Sequence, residues 1–461
     1  MNRIKNRKPS RSSPNDSENS VNSISKSEPL VCGLLPWFAT NARDLPWRRT
    51  RDPYAIWVSE IMLQQTQVKT VIPYWERWMR ELPTIKSLAD ASANKIHKLW
   101  EGLGYYTRVR NMQKAAQQII DSGRRRGDES HSKNRQSESE PPHAVSYEFP
   151  TNFDAVLALP GIGRYTAGAI CSIAFNQPTP ILDGNVIRVL TRIHGIKTDP
   201  RKKQTNARLW QLAEELVKAA SEREDSTPEK PRAKLLPLPG ERAGVRAVVK
   251  TKISNACSHL NQSLMELGAL LCTPRSPNCA ACPVQKLCIA RKENLQDQLP
   301  NLGKRAAATE RRFIAFVVER AGKFLVRQRP EGVVNAHLWE FPNVEVSGAL
   351  ASCRRVSGTR SDKLAGRVPA LPDSNFCLIS PKPLCTIKHS ITRYRITLQA
   401  WRAEIASSNG TPTSDPARSK SAIGNTPGRR PALPGEWRTL AQLHDLAFTS
   451  AHKKIAARLS Q

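Results

Sequence analysis

Four cysteines lie close together in the chain, at Cys272, Cys279, Cys282 and Cys288, with the spacing C-x6-C-x2-C-x5-C. Thiolates this close in sequence can hold one metal centre. Zinc also binds four thiolates, but usually through two C-x2-C pairs across a longer gap, and this loop has one such pair. A [4Fe-4S] cluster suits the compact loop better. We therefore predict a [4Fe-4S] cluster, with zinc and four unrelated buried cysteines as the alternatives.

Two carboxyl groups lie in apolar surroundings. Glu60 is flanked by Trp57, Ile61 and Met62, and Asp183 comes just before the apolar helical stretch at 186–190. Removal of a carboxyl from water raises its pKa, which is the condition for a general acid. The alternatives are an inert glutamate on an exposed helix face and an aspartate that only caps a helix. From the residues alone, Glu60 is a candidate general acid and Asp183 a candidate second carboxyl, and the structural alternatives stay open.

A glycine-containing turn precedes a helix of small residues at 159–168. Gly161 and Gly163 permit a tight turn and a close approach, and the backbone N–H groups at the start of the helix favour an anion. Arg164 follows directly. The segment is predicted to bind a phosphate group, with an ordinary connection between two helices as the alternative.

The composition indicates a polyanionic partner. The 461 residues carry 71 Lys and Arg against 40 Asp and Glu, a formal net charge of +31. This charge attracts the phosphate backbone of a nucleic acid in a salt-dependent way, although basic disordered tails would also produce it. No apolar run is long enough to span a membrane, and the first residues lack the apolar core of a secretory signal, so we expect the cell interior.

The pattern of apolar residues divides the chain into two domains. The first is mainly helical and the second, where short β-prone segments alternate with turns, is α+β. We expect the following ranges: a disordered basic arm at 1–30, the helical domain at 31–290 with polar inserts at about 121–148 and 221–250, a basic linker at 291–311, and the α+β domain at 312–461 with a polar insert at about 406–435.

Several motifs together resemble the helix-hairpin-helix DNA glycosylase superfamily, and specifically the MutY-type adenine DNA glycosylases. They occur in the order of the family and agree with the cysteine spacing. The motifs are L-P-W-R at 45–48, S-E-I-M-L-Q-Q-T-Q-V at 59–68, W-E-G-L-G-Y-Y-T-R-V-R-N at 100–111, L-P-G-I-G-R-Y-T-A-G-A-I at 159–170 and L-D-G-N-V-I-R-V-L at 182–190.

The resemblance implies an enzyme of base excision repair. Adenine paired with 8-oxoguanine or guanine in duplex DNA would be flipped out of the stack into a pocket. Glu60 would protonate the adenine, and Asp183 would stabilise the cationic sugar, as the two carboxylates of a retaining glycosidase do. The resemblance also gives Tyr165 and Asn185 supporting positions in the pocket, and makes Gln65 and Tyr105 residues that wedge into the duplex.

Tyr165 separates two subfamilies. Endonuclease III-type relatives carry lysine at this place, and its amine attacks the sugar, forms a Schiff base and allows strand cleavage. A phenol cannot form a Schiff base, so we predict a monofunctional glycosylase that leaves an abasic site. The alternatives are an endonuclease III-like glycosylase with lyase activity and a non-catalytic iron-sulfur protein that binds DNA or transfers electrons.

The second domain resembles the MutT-like (Nudix-like) recognition domain of the same family, without the Glu-rich box that binds magnesium. We expect it to recognise 8-oxoguanine without hydrolysing nucleotides. The family carries Phe-Ser-His in the sensing hairpin, where this chain has Ile387, Lys388 and His389, followed by Ser390. Lysine offers hydrogen-bond donors only. Ser390 is the candidate substitute if the loop shifts its register, and the resemblance implies a monomer.

Overall fold

The computed structural model describes residues 15–133, 149–225, 255–303, 307–346, 352–353, 368–369, 376–391, 393–405 and 435–460. The chain forms two compact units. The first unit contains residues up to Lys86 together with Lys114–Lys304. The second contains Ser87–Gln113 and the chain from Arg305 onward. A segment from within the predicted helical domain therefore packs with the C-terminal part of the chain.

Helices make up most of the chain up to residue 303. The α-helices are α1 (Asn15–Asn41), α2 (Pro53–Leu63), α3 (Val68–Glu81), α4 (Ile85–Asp90), α5 (Ala93–Leu99), α6 (Thr107–Lys133), α7 (Phe153–Leu157), α8 (Arg164–Phe175), α9 (Gly184–Ile193), α10 (Lys203–Asp225), α11 (Ala256–Leu270) and α12 (Ile289–Lys292), with 3-10 helices at Pro46–Arg48 and Gln285–Leu287.

Helix α11 lies at the centre of the first unit, in contact with α1, α8, α9 and α10. Two glycines allow the closest approaches. A Cβ atom on Gly168 of α8 would lie 2.2 Å from the Pro180 carbonyl oxygen, and one on Gly268 of α11 would lie 2.7 Å from the Asn185 Cβ. Only a residue without a side chain fits at such distances. The two contacts bring α8 and α11 against the segment that carries Asp183.

Three polar segments contain more helix than the sequence predicted. The arm expected at 1–30 is helical from Asn15, because Leu30, Val31 and Leu34 are buried and the helix packs on α10 and α11. Helix α6 runs past the expected start of the first insert to Lys133, and α10 runs past that of the second to Asp225. Residues 1–14, 134–148 and 226–254 lie outside the described part of the chain.

The expected linker is also wrong in part. Leu299 is buried, and its carbonyl oxygen accepts a hydrogen bond of 2.9 Å from Arg192 Nε. At the other end of the linker range, the first strand already begins at Thr309. This part of the segment stays on the first unit for two reasons. The Leu299 side chain is buried there, and the buried Arg192 needs the acceptor that the Leu299 carbonyl provides.

The second unit is built on a mixed sheet. Its strands are β1 (Thr309–Arg320), β2 (Lys323–Gln328), β3 (Trp339–Glu340), β4 (Asn343–Glu345), β5 (Ser352–Cys353), β6 (Val368–Pro369), β7 (Phe376–Leu378), β8 (Cys385–Ile391), β9 (Tyr394–Ile405) and β10 (Glu436–Thr439), followed by α13 (Leu440–Asp445) and α14 (Ser450–Leu459). The main path is β10-β2-β1-β9-β7, and β8 pairs with β9. The expected insert at 406–435 lies outside the described residues except for Gly435.

The first two strands form a hairpin. Strands β1 and β2 are antiparallel, Arg320 pairs with Lys323, and the turn residues Ala321 and Gly322 have φ angles of 50° and 68°. Such a two-residue turn matches the twist of the strands that it joins.

One face of the sheet packs on α13 and α14 around Val326, Leu398 and Ile455. No helix in the described parts of the chain is both long and apolar enough to cross a membrane.

Candidate active site and cysteine loop

Glu60 and Tyr165 meet in the interior of the first unit. Glu60 lies on α2 with 5% of its surface exposed, and the Tyr165 hydroxyl on α8 donates a hydrogen bond of 2.8 Å to its Oε2 atom. Burial and, to a smaller extent, the charge of Asp183 raise the pKa of Glu60, the hydrogen bond from Tyr165 lowers it, and the resulting pKa is about 7. The pKa of Tyr165 itself is well above its usual range because of burial. Glu60 can therefore hold a proton near neutral pH.

Asp183 is both the cap of α9 and the second carboxyl of the site. Its Oδ1 accepts from the Val186 N–H at 2.7 Å, and its Oδ2 accepts from Asn185 Nδ2 at 3.0 Å. Burial raises its pKa, while these bonds and the charge of Arg188 act in the opposite direction. The predicted cap and the predicted anion are thus the same group, and four sequence-predicted residues, Glu60, Asp183, Tyr165 and Asn185, lie in one site.

Arg188 connects this site to the cysteine loop. Its Nη2 donates to Asn185 Oδ1 at 2.8 Å and to the Gly268 carbonyl oxygen at 2.7 Å, and its Nε donates to the Cys272 carbonyl oxygen at 2.7 Å. A planar guanidinium with five donors can hold several acceptors at fixed angles. Arg188 therefore connects the backbone of Cys272 to Asn185, which in turn donates to Asp183.

Arg192, one helical turn further along α9, also binds the cysteine loop. It is buried, and its Nη1 lies 3.3 Å from Cys272 Sγ and 2.7 Å from the Thr273 carbonyl oxygen. Sequence analysis did not predict Arg188 or Arg192. The sequence does contain a signal for these two residues, which is the spacing of four between two arginines within an apolar helical stretch. Arginines on a buried face of a helix need partners elsewhere in the protein.

The four cysteines surround one space, which Arg192, Val284 and Ala290 also line. Within the described residues, no three His, Cys, Asp or Glu side chains are grouped closely enough to hold one metal ion. Four thiols around one space form a donor set that can hold a [4Fe-4S] group.

Glu266 of α11 anchors the segment that contains the L-P-W-R motif. Its side chain is 1% exposed and accepts bonds from Arg43 Nε at 2.7 Å and Arg48 Nη2 at 2.8 Å. Burial alone would raise the pKa of Glu266, but the bonds from the two arginines lower it to about 2. Sequence analysis missed this ion pair, because the partners are far apart in the chain.

Replacement of Glu266 by alanine is expected to destabilise the protein by about 3 kcal/mol, since it leaves Arg48 in the interior without its counter-ion. Equilibrium denaturation at pH 7 measures the loss. Because the folded-state pKa is lowered, the stabilisation is present above the unfolded value of 4.5 and disappears as the pH falls towards 2. The control is Glu214→Ala, which breaks an exposed pair with Lys218 and should change little. Equal effects of the two variants would contradict the anchoring role.

The segment predicted to bind a phosphate group forms a tight turn before α8, and one glycine has a different role from the one expected. Gly161 has a φ of 78°, as the tight turn requires. Gly163 caps α8 at a φ of −97°, which any residue can adopt, and a Cβ atom there would meet nothing within 4 Å. Gly163 therefore leaves the start of α8 open and is not needed for the turn itself. The Arg164 guanidinium lies 4.1 Å from the centre of the Trp210 ring.

Gln65 and Tyr105 each lie on a turn with a left-handed backbone. Gln65 follows α2 with a φ of 60° and is exposed. Tyr105 has a φ of 48° and is 44% exposed. Non-glycine residues seldom adopt this conformation and keep it only where the surroundings hold it. Both turns therefore display a side chain in a fixed position.

Strand β8 separates the three predicted sensing residues. Successive side chains of a strand point to opposite faces, so Lys388 and Ser390 share one face and His389 lies on the other. The burial pattern along β8 and the nearby charge of Lys454 on α14 agree with this placement of His389. Ser390 shares the face of Lys388 without the register shift that sequence analysis invoked.

The face of Lys388 and Ser390 borders a cleft of about 570 Å³. Lys388 pairs with Thr397 and Ser390 with Arg395 on β9, which in turn pair with Arg312 and Glu310 on β1. Paired residues of neighbouring strands point to the same side of a sheet. These paired residues thus bring three basic side chains, two hydroxyl groups and the carboxylate of Glu310 to one face of the cleft, a set with a net positive charge that suits a ligand with polar edges.

Family models match three parts of the chain. Residues 58–215 match the HhH-GPD superfamily of base excision DNA repair proteins, residues 272–288 match the iron-sulfur binding domain of endonuclease III, and residues 314–458 match a NUDIX domain. The predicted domain types and cluster are thereby confirmed. The cysteine loop carries an iron-sulfur cluster of the [4Fe-4S] type.

The chain is similar to curated proteins along most of its length. It is 31% identical to the adenine DNA glycosylase of Homo sapiens over 92% of this chain and 72% of the human protein. It is 33% identical to the adenine DNA glycosylase of Buchnera aphidicola from Schizaphis graminum, over 68% of this chain and 74% of that protein. Among solved structures, a thermostable thymine-DNA glycosylase is 25% identical with a TM-score of 0.43, over 59% of this chain and 99% of the other.

Proposed function

The chain belongs to the adenine DNA glycosylases of the HhH-GPD superfamily of base excision repair, and on that premise we propose that it removes adenine paired with 8-oxoguanine or guanine in duplex DNA. It hydrolyses an N-glycosyl bond and leaves an abasic site without cutting the strand. The observation that carries this proposal is the site itself, where the buried Glu60 accepts a hydrogen bond from Tyr165 and lies close enough to Asp183 for that charge to raise its pKa.

Glu60 acts as the general acid. The adenine, flipped out of the duplex, receives the Glu60 proton at N7, which makes the base a better leaving group. The bond between the sugar carbon and the base then breaks, and the electron pair goes to the protonated base, which leaves as neutral adenine. Tyr165 fixes the carboxyl through its 2.8 Å hydrogen bond and keeps bulk water away from it.

Asp183 acts on the sugar. Once the base departs, positive charge develops at the sugar carbon, and a carboxylate held by Val186 and Asn185 can stabilise it or bond to it transiently. Water supplies the hydroxyl group that completes hydrolysis, and the proton that it releases restores the acid form of Glu60. Asp183 must remain ionised beside a protonated Glu60, and the hydrogen bonds that it accepts favour its charged form.

The [4Fe-4S] cluster would be held by Cys272, Cys279, Cys282 and Cys288. When bound, it supplies a covalent anchor for the cysteine loop. Arg188 and Arg192 transmit the position of that loop to α9 through the bonds that they donate to Cys272 and Thr273. We assign Arg188 to the positioning of Asn185 and, through it, of Asp183, because it contacts both the loop and Asn185. Arg192 fixes the loop to α9.

The second unit recognises the base opposite the adenine. We propose that the cleft beside β8 receives 8-oxoguanine, with Ser390 as the hydroxyl that can accept from N7–H and donate to O8. Lys388 can donate to O8 but cannot accept from N7–H. His389, on the opposite face, supports the strand from the side of α14.

Other residues of the chain contact the duplex itself. Gln65 and Tyr105 enter the duplex, and its phosphates are bound by Gly161, Gly163 and Arg164.

A single-turnover assay with a panel of duplexes tests this function. Adenine is placed opposite 8-oxoguanine, guanine, thymine or cytosine, and strand breaks are measured with and without alkali. We expect adenine release opposite 8-oxoguanine and guanine, and strand breaks only after alkali.

In the same panel, Lys388→Ser should increase the preference for 8-oxoguanine over guanine by about tenfold, the value of one hydrogen bond, while Ser390→Ala should reduce it.

Borohydride separates the proposal from an endonuclease III-like activity. A covalent complex trapped between the protein and abasic DNA would show a Schiff base and would overturn the monofunctional assignment. Binding to all four duplexes without any base release would favour the non-catalytic alternative. A truncation at residue 312 is a poor test, because residues 87–113 pack with the part that it removes.

A further inference from the structure

The turn that displays Tyr105 is held by the C-terminal helices of the second unit. The turn follows α5, and within it Gly102, Gly104 and Tyr105 have φ angles of 110°, 69° and 48°. The glycines adopt such angles freely, whereas Tyr105 keeps its left-handed backbone only where the surroundings hold it. The support within the turn comes from Trp100 Nε1, which donates to the Gly104 carbonyl oxygen at 3.0 Å, and from Arg108 Nη2, which donates to the same oxygen at 3.2 Å.

Glu101 connects this turn to α14. It is buried, and its Oε2 lies 2.6 Å from Lys453 Nζ on α14, while its Oε1 accepts from the Phe448 N–H at 3.4 Å. Lys98, on the last turn of α5, lies 3.3 Å from Glu101 Oε2 and donates to the His444 carbonyl oxygen at the end of α13 at 2.5 Å. A buried carboxylate fixed at both oxygens holds its backbone far more firmly than an exposed ion pair does.

A second contact holds the other side of the turn. Arg110, on the first turn of α6, donates to the Ala336 carbonyl oxygen at 2.8 Å. The turn is therefore attached to the C-terminal part of the chain both before and after Tyr105. The Tyr105 side chain itself stays 44% exposed, within 5.6 Å of the Arg108 guanidinium.

We propose that Glu101 is a positioning residue, and that its ion pair with Lys453 fixes Tyr105 for entry into the duplex. The C-terminal part of the chain then contributes to base flipping through this contact as well as through recognition of the opposite base. This inference rests on the proposed function, in which Tyr105 replaces stacking that the duplex loses when adenine leaves it.

The test is a mutant cycle between Lys453→Met and Tyr105→Ala in the full-length holoenzyme. Methionine keeps the apolar stem of lysine and removes its charge. The readouts are the emission of a fluorescent adenine analogue opposite 8-oxoguanine, which increases when the base leaves the stack, and the single-turnover rate at saturating protein. Each single variant should lower the rate and the emission change by about tenfold or more, since a small misplacement of a positioned group has effects of this size.

The double variant decides between positioning and general damage. We expect it to be no slower than Tyr105→Ala alone, because a residue that acts through Tyr105 has nothing left to position. Lys453→Arg, which preserves the ion pair, should behave like the native protein. Lys454→Met is the matched control for the loss of one positive charge from α14, and thermal unfolding of each variant shows that it is folded.

Two negative results have different meanings. If Tyr105→Ala has no effect, the proposed role of Tyr105 in the duplex fails, and the inference fails with it. If Tyr105→Ala slows the reaction but Lys453→Met acts like Lys454→Met, or if the two effects multiply in the double variant, the inference alone is overturned.

Discussion

Replacement of Glu60 by glutamine should reduce single-turnover adenine release by about 10³-fold, within the range that general acid catalysis contributes. Glutamine keeps the size of the side chain and an oxygen that can accept the bond from Tyr165, but it has no proton to give at N7. The measurement uses saturating protein, so that duplex affinity does not enter the rate. Affinity for the same duplex, measured separately, should be close to that of the native protein.

The same variant should be more stable than the native protein above pH 7. The folded-state pKa of Glu60 is about 7 against 4.5 for the free group. Native stability therefore falls as the pH rises through this interval, by a total of about 3 kcal/mol. A neutral glutamine escapes this loss. Equal denaturation midpoints of the two proteins at pH 8, combined with full activity of the variant, would contradict the buried acid.

Replacement of Asp183 by asparagine should also slow adenine release by about 10³-fold, because it removes the charge that stabilises the cationic sugar. Asparagine is as good a helix cap as aspartate, so the bond from the Val186 N–H to the side chain can remain. Circular dichroism and denaturation should therefore show little change. This variant separates the two interpretations of Asp183, as a cap and as a catalytic anion.

The control for this variant is Asp52→Asn at the start of α2, where the side chain accepts from the Tyr54 N–H and has no other assigned role. It should keep native activity. An Asp183→Asn protein with native activity would show that the residue only caps α9, and the proposed chemistry on the sugar would then be wrong.

The sequence predicted the chemical groups of the site because their signals are local. Burial of Glu60 follows from its apolar neighbours, and the cap at Asp183 follows from the helix after it. The surrounding ion pairs were not predictable in this way. Arg43 and Glu266 are separated by most of the first unit, and a contact of that kind depends on how helices pack, which no short motif records.

Two other differences have a similar physical cause. The arm and the edges of the polar inserts are helical, although their composition suggested no burial. Apolar residues such as Leu30 and Leu34 were enough to extend α1 onto its neighbours. The second difference is that Lys388, His389 and Ser390 lie on one regular strand and not on a loop. In a strand, neighbouring side chains point to opposite faces of the sheet.

The dependence of adenine release on pH tests the central claim most directly, that a buried Glu60 delivers the proton. With adenine opposite 8-oxoguanine and saturating protein, the single-turnover rate should be nearly constant from pH 6 to about 7, where Glu60 is protonated. Above that pH it should fall by about tenfold per unit, as expected for the loss of one essential proton. A rate that stays constant up to pH 9 would contradict the claim.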